Sequence, residues 1–415
     1  MRLLFLSNFY PPFDRGGYEQ WCQEVADRLR QSGHQVTVLT SRYHAAHHDS
    51  TAQDFVVRQL YLEMEFASLK NAIRFFVGRQ KRVRENIAAI RALFAQSTFD
   101  AVLVWGMWNL DWQVAAEAES LCPRGVFYYI ADYWLTLASQ HSHYWRTPAR
   151  TSLARIPKAL LKPIAERLLA HEQRPALELA YALFPSAYLR TELLQKGVQF
   201  GTTAVIPGAI DTSLYHVPDQ PRWDDSNPSL RLLYVGRLSP EKGVETAIHA
   251  LGHFLALNPC CSAQLVIVGS GDMDYEISLQ QLVFEKGLAP RVEFIGAQPK
   301  EKMSEIYSQA DVLLFTSIWP EPFGRVIVEA MASGVVVVAT ATGGAAEIIV
   351  DEENALVFPP QNAAMLASQL VRLVTNPGLY EHLAAAGRCT ALEHFDIVRM
   401  AEGVERYLED ALARP

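Results

Sequence analysis

Cysteine is scarce in this 415-residue chain. The five present (Cys22, Cys122, Cys260, Cys261, Cys389) form no Cys-x-x-Cys pair and leave one over. That argues against a disulfide framework and a zinc site alike, and it fits a reducing cytoplasm. Long hydrophobic runs are missing too: no window approaches the roughly 20 apolar residues of a membrane span. The opening MRLLFLSNFYPP breaks at polar residues and a double proline too soon for a signal peptide. Nor is positive charge in excess. With 37 Lys+Arg against 45 Asp+Glu the net charge is −8, which argues against a general nucleic-acid binder. A cytoplasmic protein, soluble or peripheral on the inner face of a membrane, with no nucleic-acid partner, is the expectation.

Half of the residues are hydrophobic and a fifth charged, the profile of a globular protein long enough for two domains of about 200 residues. Arg2–Ser7 (RLLFLS) reads as a buried strand, Gly17–Ser32 as an amphipathic helix stopped by Gly33-His34, and Gln35–Thr40 (QVTVLT) as the next strand. Ala101–Trp105, Val126–Ile130 and the shorter Ala182–Pro185 continue the series. From about Arg231 the rhythm restarts with RLLYVGR, QLVIVGSG, RVEFIG, DVLLFTS, VVVVAT and ALVF. Continuous apolar strands alternating with helices imply parallel sheets covered on both faces. The expected class is α/β, two doubly wound Rossmann-like domains facing across a cleft, with Pro207–Ser229 as linker. Ligands of such sheets bind beyond the carboxyl ends of the strands.

Four loops after strands carry chemistry. Gly236-Arg237-Leu238-Ser239-Pro240-Glu241-Lys242-Gly243 puts two cations beside a helix start, a site for a diphosphate or merely a solvated loop. In SIWPEPFGRVIVEAMASG (Ser317–Gly334), Phe323-Gly324 ends a loop, a helix starts near Arg325, and Glu321 and Glu329 stand eight apart. Carboxylates suit vicinal hydroxyls; the plainer reading is an exposed Arg325–Glu329 pair at i, i+4 worth a few tenths of a kcal/mol. Thr342–Glu347 offers two glycines for a tight turn or a close ligand, and Tyr10–Glu19 (YPPFDRGGYE) offers Gly16 and Gly17 after the first strand.

In order and rough spacing, YPPFDRGG, SGHQVTVLT, YVGRLSPEKG, EPFGRVIVEAMASG, ATGGAAEII and NALVFPP resemble the retaining glycosyltransferases of family 4 over nearly the whole chain. The resemblance implies a GT-B fold: residues 1–206 for the acceptor, 207–395 for a nucleotide-sugar, and a helix from about Asp396 to 415 crossing back. It also implies transfer of a hexose from a nucleotide-diphospho-sugar, UDP first and GDP-mannose next, to a glycan, lipid-linked or sugar-phosphate acceptor, with neither metal nor cofactor. By position Arg237 and Lys242 would hold the diphosphate, Glu329 the ribose, and Glu321 with the backbone of Phe323 and Gly324 the hexose. Gly236, Arg325 and Val326 would flank the donor, Ala297 would meet the base, and Gly16 and Gly17 would lie against diphosphate or acceptor. Many relatives have a histidine where Ala131 precedes Asp132-Tyr133-Trp134, so Asp132, His141 or His143 become acceptor-side candidates.

Two basic stretches, residues 70–91 (Lys70, Arg74, Arg79, Lys81, Arg82, Arg84, Arg91) and 146–174 (Arg146, Arg150, Arg155, Lys158, Lys162, Arg167, Arg174), read as amphipathic helices. They suit an anionic membrane surface, a sugar-phosphate pocket or a solvated face. Competing classes are a GT-B epimerase, a sugar-nucleotide-binding protein without catalysis, or a phosphorylase. The last needs a Schiff-base lysine, for which Lys286, Lys300 and Lys302 are the later candidates.

Overall fold

The structure, a computed structural model, describes residues 1–44, 54–65, 69–148, 152–170, 174–217 and 229–414. The chain divides into two compact units, Met1–Ile206 with Ala401–Pro415, and Pro207–Met400. Unit 1 is built on seven parallel strands: β1 (Arg2–Ser7), β2 (Gln35–Ser41), β3 (Val56–Leu60), β4 (Ala101–Val104), β5 (Val126–Tyr129), β6 (Tyr181–Phe184) and β7 (Thr202–Val205). Their order is β3-β2-β1-β4-β5-β6-β7, with Leu3 opposite both Val36 and Ala101. Five of the six β1 residues are buried, as a central strand covered on both faces requires. Only the edge strands β3 and β7 escape the sequence pattern. Most of their residues are half exposed, so neither forms a continuous apolar run.

Unit 2 has six parallel strands: β8 (Ser229–Val235), β9 (Ser262–Val268), β10 (Val292–Gly296), β11 (Val312–Phe315), β12 (Val336–Ala339) and β13 (Leu356–Val357), ordered β10-β9-β8-β11-β12-β13. Both sheets reverse their winding once, between β1 and β4 and between β8 and β11. At such switch points the loops at the carboxyl ends of neighbouring strands part and leave a crevice.

Two expectations need correction, the linker and the basic stretches. Of the presumed linker, 218–228 lies outside the described residues, and 207–217 is packed: Tyr215 is buried 6.1 Å from the Tyr307 ring, and Ile210 exchanges backbone hydrogen bonds with Phe395 and Ile397 (3.0 and 2.8 Å). Its apolar side chains have a core to enter, so it cannot stay loose. Helix Ile397–Leu412 belongs to unit 1 from Ala401 onward, where Tyr407 donates to the Thr202 carbonyl (2.9 Å).

The basic stretches are not uniform solvated faces either. The first breaks at Gly78 into helices Leu69–Val77 and Arg79–Gln96; Arg79 and Arg82 stack on Phe76 and Phe75, and Arg91 pairs with Glu117 (2.7 Å). In helix Ser152–Ala170, Lys158 is buried with its ammonium 3.9 Å from the centre of the Tyr144 ring. The Lys70 side chain and Arg150 lie outside the described residues. Guanidinium and lysine stems carry enough apolar surface to be drawn onto aromatic rings.

Candidate functional site

At the switch point of unit 2, the loop after β8 and the loop after β11 are fastened together. Pro240–Lys242 makes one 3₁₀ turn and Gly243 follows in the left-handed conformation (φ 66°). A Cβ at Gly243 would come within 2.2 Å of the Thr316 carbonyl oxygen, so only glycine fits. Thr316 Oγ1 donates to the Lys242 carbonyl (2.9 Å), and the Ile318 and Trp319 N–H groups donate to the Glu241 carbonyl (2.9 and 3.0 Å).

This fastening brings two residues 79 apart into contact: the Lys242 ammonium pairs with Glu321 Oε1, which also accepts from Ser317 Oγ (2.7 Å). A third loop holds the Glu321 backbone. Gly344 N–H donates to the Glu321 carbonyl (2.6 Å), and Gly343 (φ 61°) admits no Cβ, which would lie 2.4 Å from that same oxygen. Thr342–Glu347 is thus a brace for Glu321.

Helix Arg325–Ala332 starts after Gly324 (φ 126°) and points its first N–H groups toward the loop region. Glu329, within it, accepts from Arg325 Nε on Oε1 and from the Tyr307 hydroxyl on Oε2, both at 2.9 Å. The i, i+4 pair expected as the plainer reading does form, but it is buried: the two side chains are 8 and 9% exposed. Burial, then the Glu329 charge, push the Tyr307 hydroxyl well above its ordinary range, so it remains a donor. A carboxylate offers about four lone-pair directions, so two acceptor positions of Glu329 remain for a further partner.

Arg237 is exposed on the same loop, and its carbonyl accepts from the Tyr234 hydroxyl (3.1 Å). Gly236 lies against a turn that the sequence motifs did not single out. A Cβ at Gly269 would stand 1.8 Å from the Gly236 carbonyl oxygen, and one at Gly271 as close to that of Leu238. The signal was there, in the GSG directly after β9. Gly269 N–H in turn donates to the Gly296 carbonyl (2.9 Å), at the end of the edge strand β10 and next to exposed Ala297. Phe323 is buried against Phe395 (5.6 Å), and Val326 is half buried. Of the lysines a phosphorylase would need, Lys286 and Lys302 are exposed and Lys300 opens helix Lys300–Ser308.

At the switch point of unit 1, Gly16 is fully extended (φ 174°), so its backbone does not require glycine. What glycine leaves there is room: a Cβ would meet only Glu19 Oε2, at 3.8 Å. Glu19, in the first turn of helix Gly17–Gln31, is 4% exposed and was not picked out by the motif. Burial pushes its carboxyl up to about 7; its own N–H and the Trp108 indole oppose the shift, while the Asp14 and Asp132 charges add to it. Asp132, just past β5 and next to buried Ala131, lies deep in the fold although part of its surface is open. Burial raises its carboxyl to about 7 against a 2.8 Å hydrogen bond from the Trp134 N–H. Two carboxyls near neutral pKa therefore share this edge. His141 and His143 sit on helix Gln140–Arg146 with opposite fates, His141 buried and lining a cavity, His143 exposed.

Comparison with known proteins agrees with this architecture. The profile described as Glycosyltransferase Family 4 matches residues 15–214, and the one described as Glycosyl transferases group 1 matches 220–390. The chain belongs to the group 1 glycosyltransferases, and its fold is of the GT-B class. It is 38% identical to an uncharacterised glycosyltransferase of Methanocaldococcus jannaschii over 37% of each chain. It is also 32% identical to the D-inositol 3-phosphate glycosyltransferase of Acidothermus cellulolyticus over 50% of this chain and 48% of that one. These alignments span only about a third to a half of those relatives. Among solved structures, Anabaena HepE in complex with UDP and glucose has a TM-score of 0.69 at 23% identity, covering 99% of this chain and 100% of that one.

Proposed function

We propose that the chain is a retaining, metal-independent hexosyltransferase. It takes its sugar from a nucleotide-diphospho-sugar, UDP-linked in the first place, and gives it to a hydroxyl of a glycan, lipid-linked or sugar-phosphate acceptor. The observation that carries this reading is the Lys242–Glu321 contact at the β8/β11 switch point, held by glycine turns. An ammonium has three donors. One serves Glu321 and the others are left for a diphosphate, whose leaving β-phosphate gains negative charge as the sugar C–O bond breaks. Fixed positive charge from Lys242 and Arg237 stabilises that charge as it forms. The acceptor hydroxyl attacks from the leaving group's own face, its proton passing to the departing phosphate oxygen. Glu321 grips hexose hydroxyls and Glu329 the ribose, through the carboxylate positions that Ser317, Arg325 and Tyr307 leave open. The UDP and glucose named for HepE support a UDP-sugar donor.

Calorimetric titration with UDP, GDP and their glucose and mannose conjugates tests the reading. One nucleotide class is expected to bind at micromolar concentration, and Glu329→Ala to weaken it at least tenfold. Failure of all four to bind would remove the donor site.

An anionic membrane surface is favoured by one observation. On helix Ser152–Ala170 the outward stripe is apolar, with Ile156 and Leu160 each 71% and Ile164 60% exposed, while Lys158 is turned inward. Exposed Arg155 and Arg167 flank the stripe. Apolar side chains that enter the headgroup region, beside cations that meet anionic lipid, make an interfacial helix. No helix among the described residues is long and apolar enough to cross a membrane. Co-sedimentation is expected with vesicles rich in phosphatidylglycerol, not with neutral ones, and Ile156→Asp with Leu160→Asp should abolish it. Equal binding of that variant would refute the attachment.

A further inference from the structure

Unit 1 contains a cavity of about 580 Å³ that none of the donor-site residues line. Loops following β3, β4 and β5 and the start of helix Arg79–Gln96 enclose it, with the chain around Arg174 closing one side. Its volume is in the range of pockets for a small ligand of one or two sugar rings.

Three guanidiniums in its lining lie over aromatic rings: Arg79 over Phe76 (4.3 Å), Arg82 over Phe75 (4.3 Å) and Arg174 over Trp112 (4.5 Å). A guanidinium over a ring keeps N–H donors that can recognise an oxyanion in a forked geometry. Arg79 and Arg174 each have one Nη1 anchored on a carbonyl, of Phe76 (2.9 Å) and of Leu137 (2.7 Å). Five donors per guanidinium leave several for a ligand.

Two acids, Glu63 and Asp111, also line the cavity, and they face Arg174, whose charge they support. Each is engaged elsewhere as well: Glu63 Oε2 accepts from the Gln140 N–H (2.6 Å) and Asp111 Oδ1 from that of Gln113 (2.9 Å). Arg82 is differently placed. The acids whose charges act on it, Glu65 and Glu85, are not in the lining. A neutral sugar has no need of pre-stacked cations, whereas an oxyanion matches them.

We propose that this cavity is the acceptor pocket and that the acceptor carries an anionic group, a phosphate ester or a sugar carboxylate, held by Arg79 and Arg82. This rests on the glycosyltransferase reading above for the word acceptor; the anion site itself does not. Ser139 and Ser142, whose hydroxyls bond each other (3.2 Å), are in the same lining.

Calorimetry on the full chain with inorganic phosphate, glucose 6-phosphate, glucuronate and glucose tests it. Glucose 6-phosphate or glucuronate should bind saturably, whichever of the two binds more tightly naming the anion as phosphate or carboxylate, and glucose at least tenfold more weakly. Arg82→Gln and Arg79→Gln should each reduce anion binding tenfold or more while UDP affinity stays within twofold. Arg82 packs on Phe75, so circular dichroism must show Arg82→Gln folded; if it is not, Arg79→Gln carries the test alone. Anion binding that survives both substitutions, equal binding of glucose, or no saturable binding of any anion overturns the proposal. If UDP does not bind the wild-type chain while anions still bind through Arg79 and Arg82, the donor reading falls and the anion site stands.

Discussion

Lys242→Ala is expected to lower turnover of the nucleotide-sugar by about 10²–10³-fold, the usual loss when one fixed donor to a developing anion is removed. The same substitution acts on the fold. Glu321 Oε1 loses the ammonium and keeps only the Ser317 hydroxyl, in a side chain that is 12% exposed. Removing one member of a well-buried pair costs about 3–5 kcal/mol; Lys242 remains 24% exposed, which brings the expectation here nearer 1–3 kcal/mol. The double variant Lys242→Ala, Glu321→Gln separates the two effects. It should recover most of the stability, because no unpaired carboxylate is left, and none of the turnover. Urea midpoints together with the rate of nucleoside diphosphate release measure both. Turnover within tenfold of wild type in Lys242→Ala would show that the leaving phosphate is stabilised by something else.

Glu19→Gln is expected to make the protein more stable, and only at the alkaline end. The Glu19 carboxyl is raised from 4.5 to about 7 in the folded chain. Between those values the folded state holds a proton that the unfolded chain has released. Stability is therefore greatest below about pH 4.5, falls as pH rises and levels off above about 7. A shift of that size corresponds to about 3 kcal/mol. Asp132, raised from 3.8 to about 7, adds to the same slope. Glutamine keeps a carbonyl oxygen for the Trp108 indole but cannot ionise. Wild type and variant should then be alike at pH 4 and differ by about 3 kcal/mol at pH 8 in urea denaturation. An unchanged pH slope in the variant would assign the effect to Asp132 alone. Two carboxyls raised by burial, both at the switch point of unit 1, thus lower stability as pH rises toward neutral.

Much of the fold was legible because central parallel strands advertise themselves. RLLFLS and VVVVAT are buried on both faces and cannot be mistaken for helix or loop, whereas β3 and β7 lie at sheet edges and carry no such run. The loops of the β8/β11 switch point were legible for a related reason. Glycines at left-handed or crowded positions, Gly243, Gly324 and Gly343, have few substitutes, so they punctuate the sequence where the backbone is forced.

What stayed hidden was contact at long range. Lys242 and Glu321 are 79 residues apart, and nothing in either motif says that their charges meet. The Arg325–Glu329 spacing allowed a pair but not its burial beneath the Tyr307 hydroxyl, which decides whether that pair is surface decoration or part of a site. Glu19 looked like any acid in a first helical turn until Trp108 and Asp132 closed around it. Arginines read as a charged helix face turned out to be stacked on phenylalanines around a cavity. The sequence by itself determined the strand pattern, the two-unit α/β class and the loops that carry the residues of the β8/β11 switch point, because each of these follows from periodicity and from backbone angles local to a few residues. Only the tertiary structure decided which charges are paired, which are buried and which line a pocket, because desolvation and Coulomb energy depend on neighbours that the chain brings in from far away.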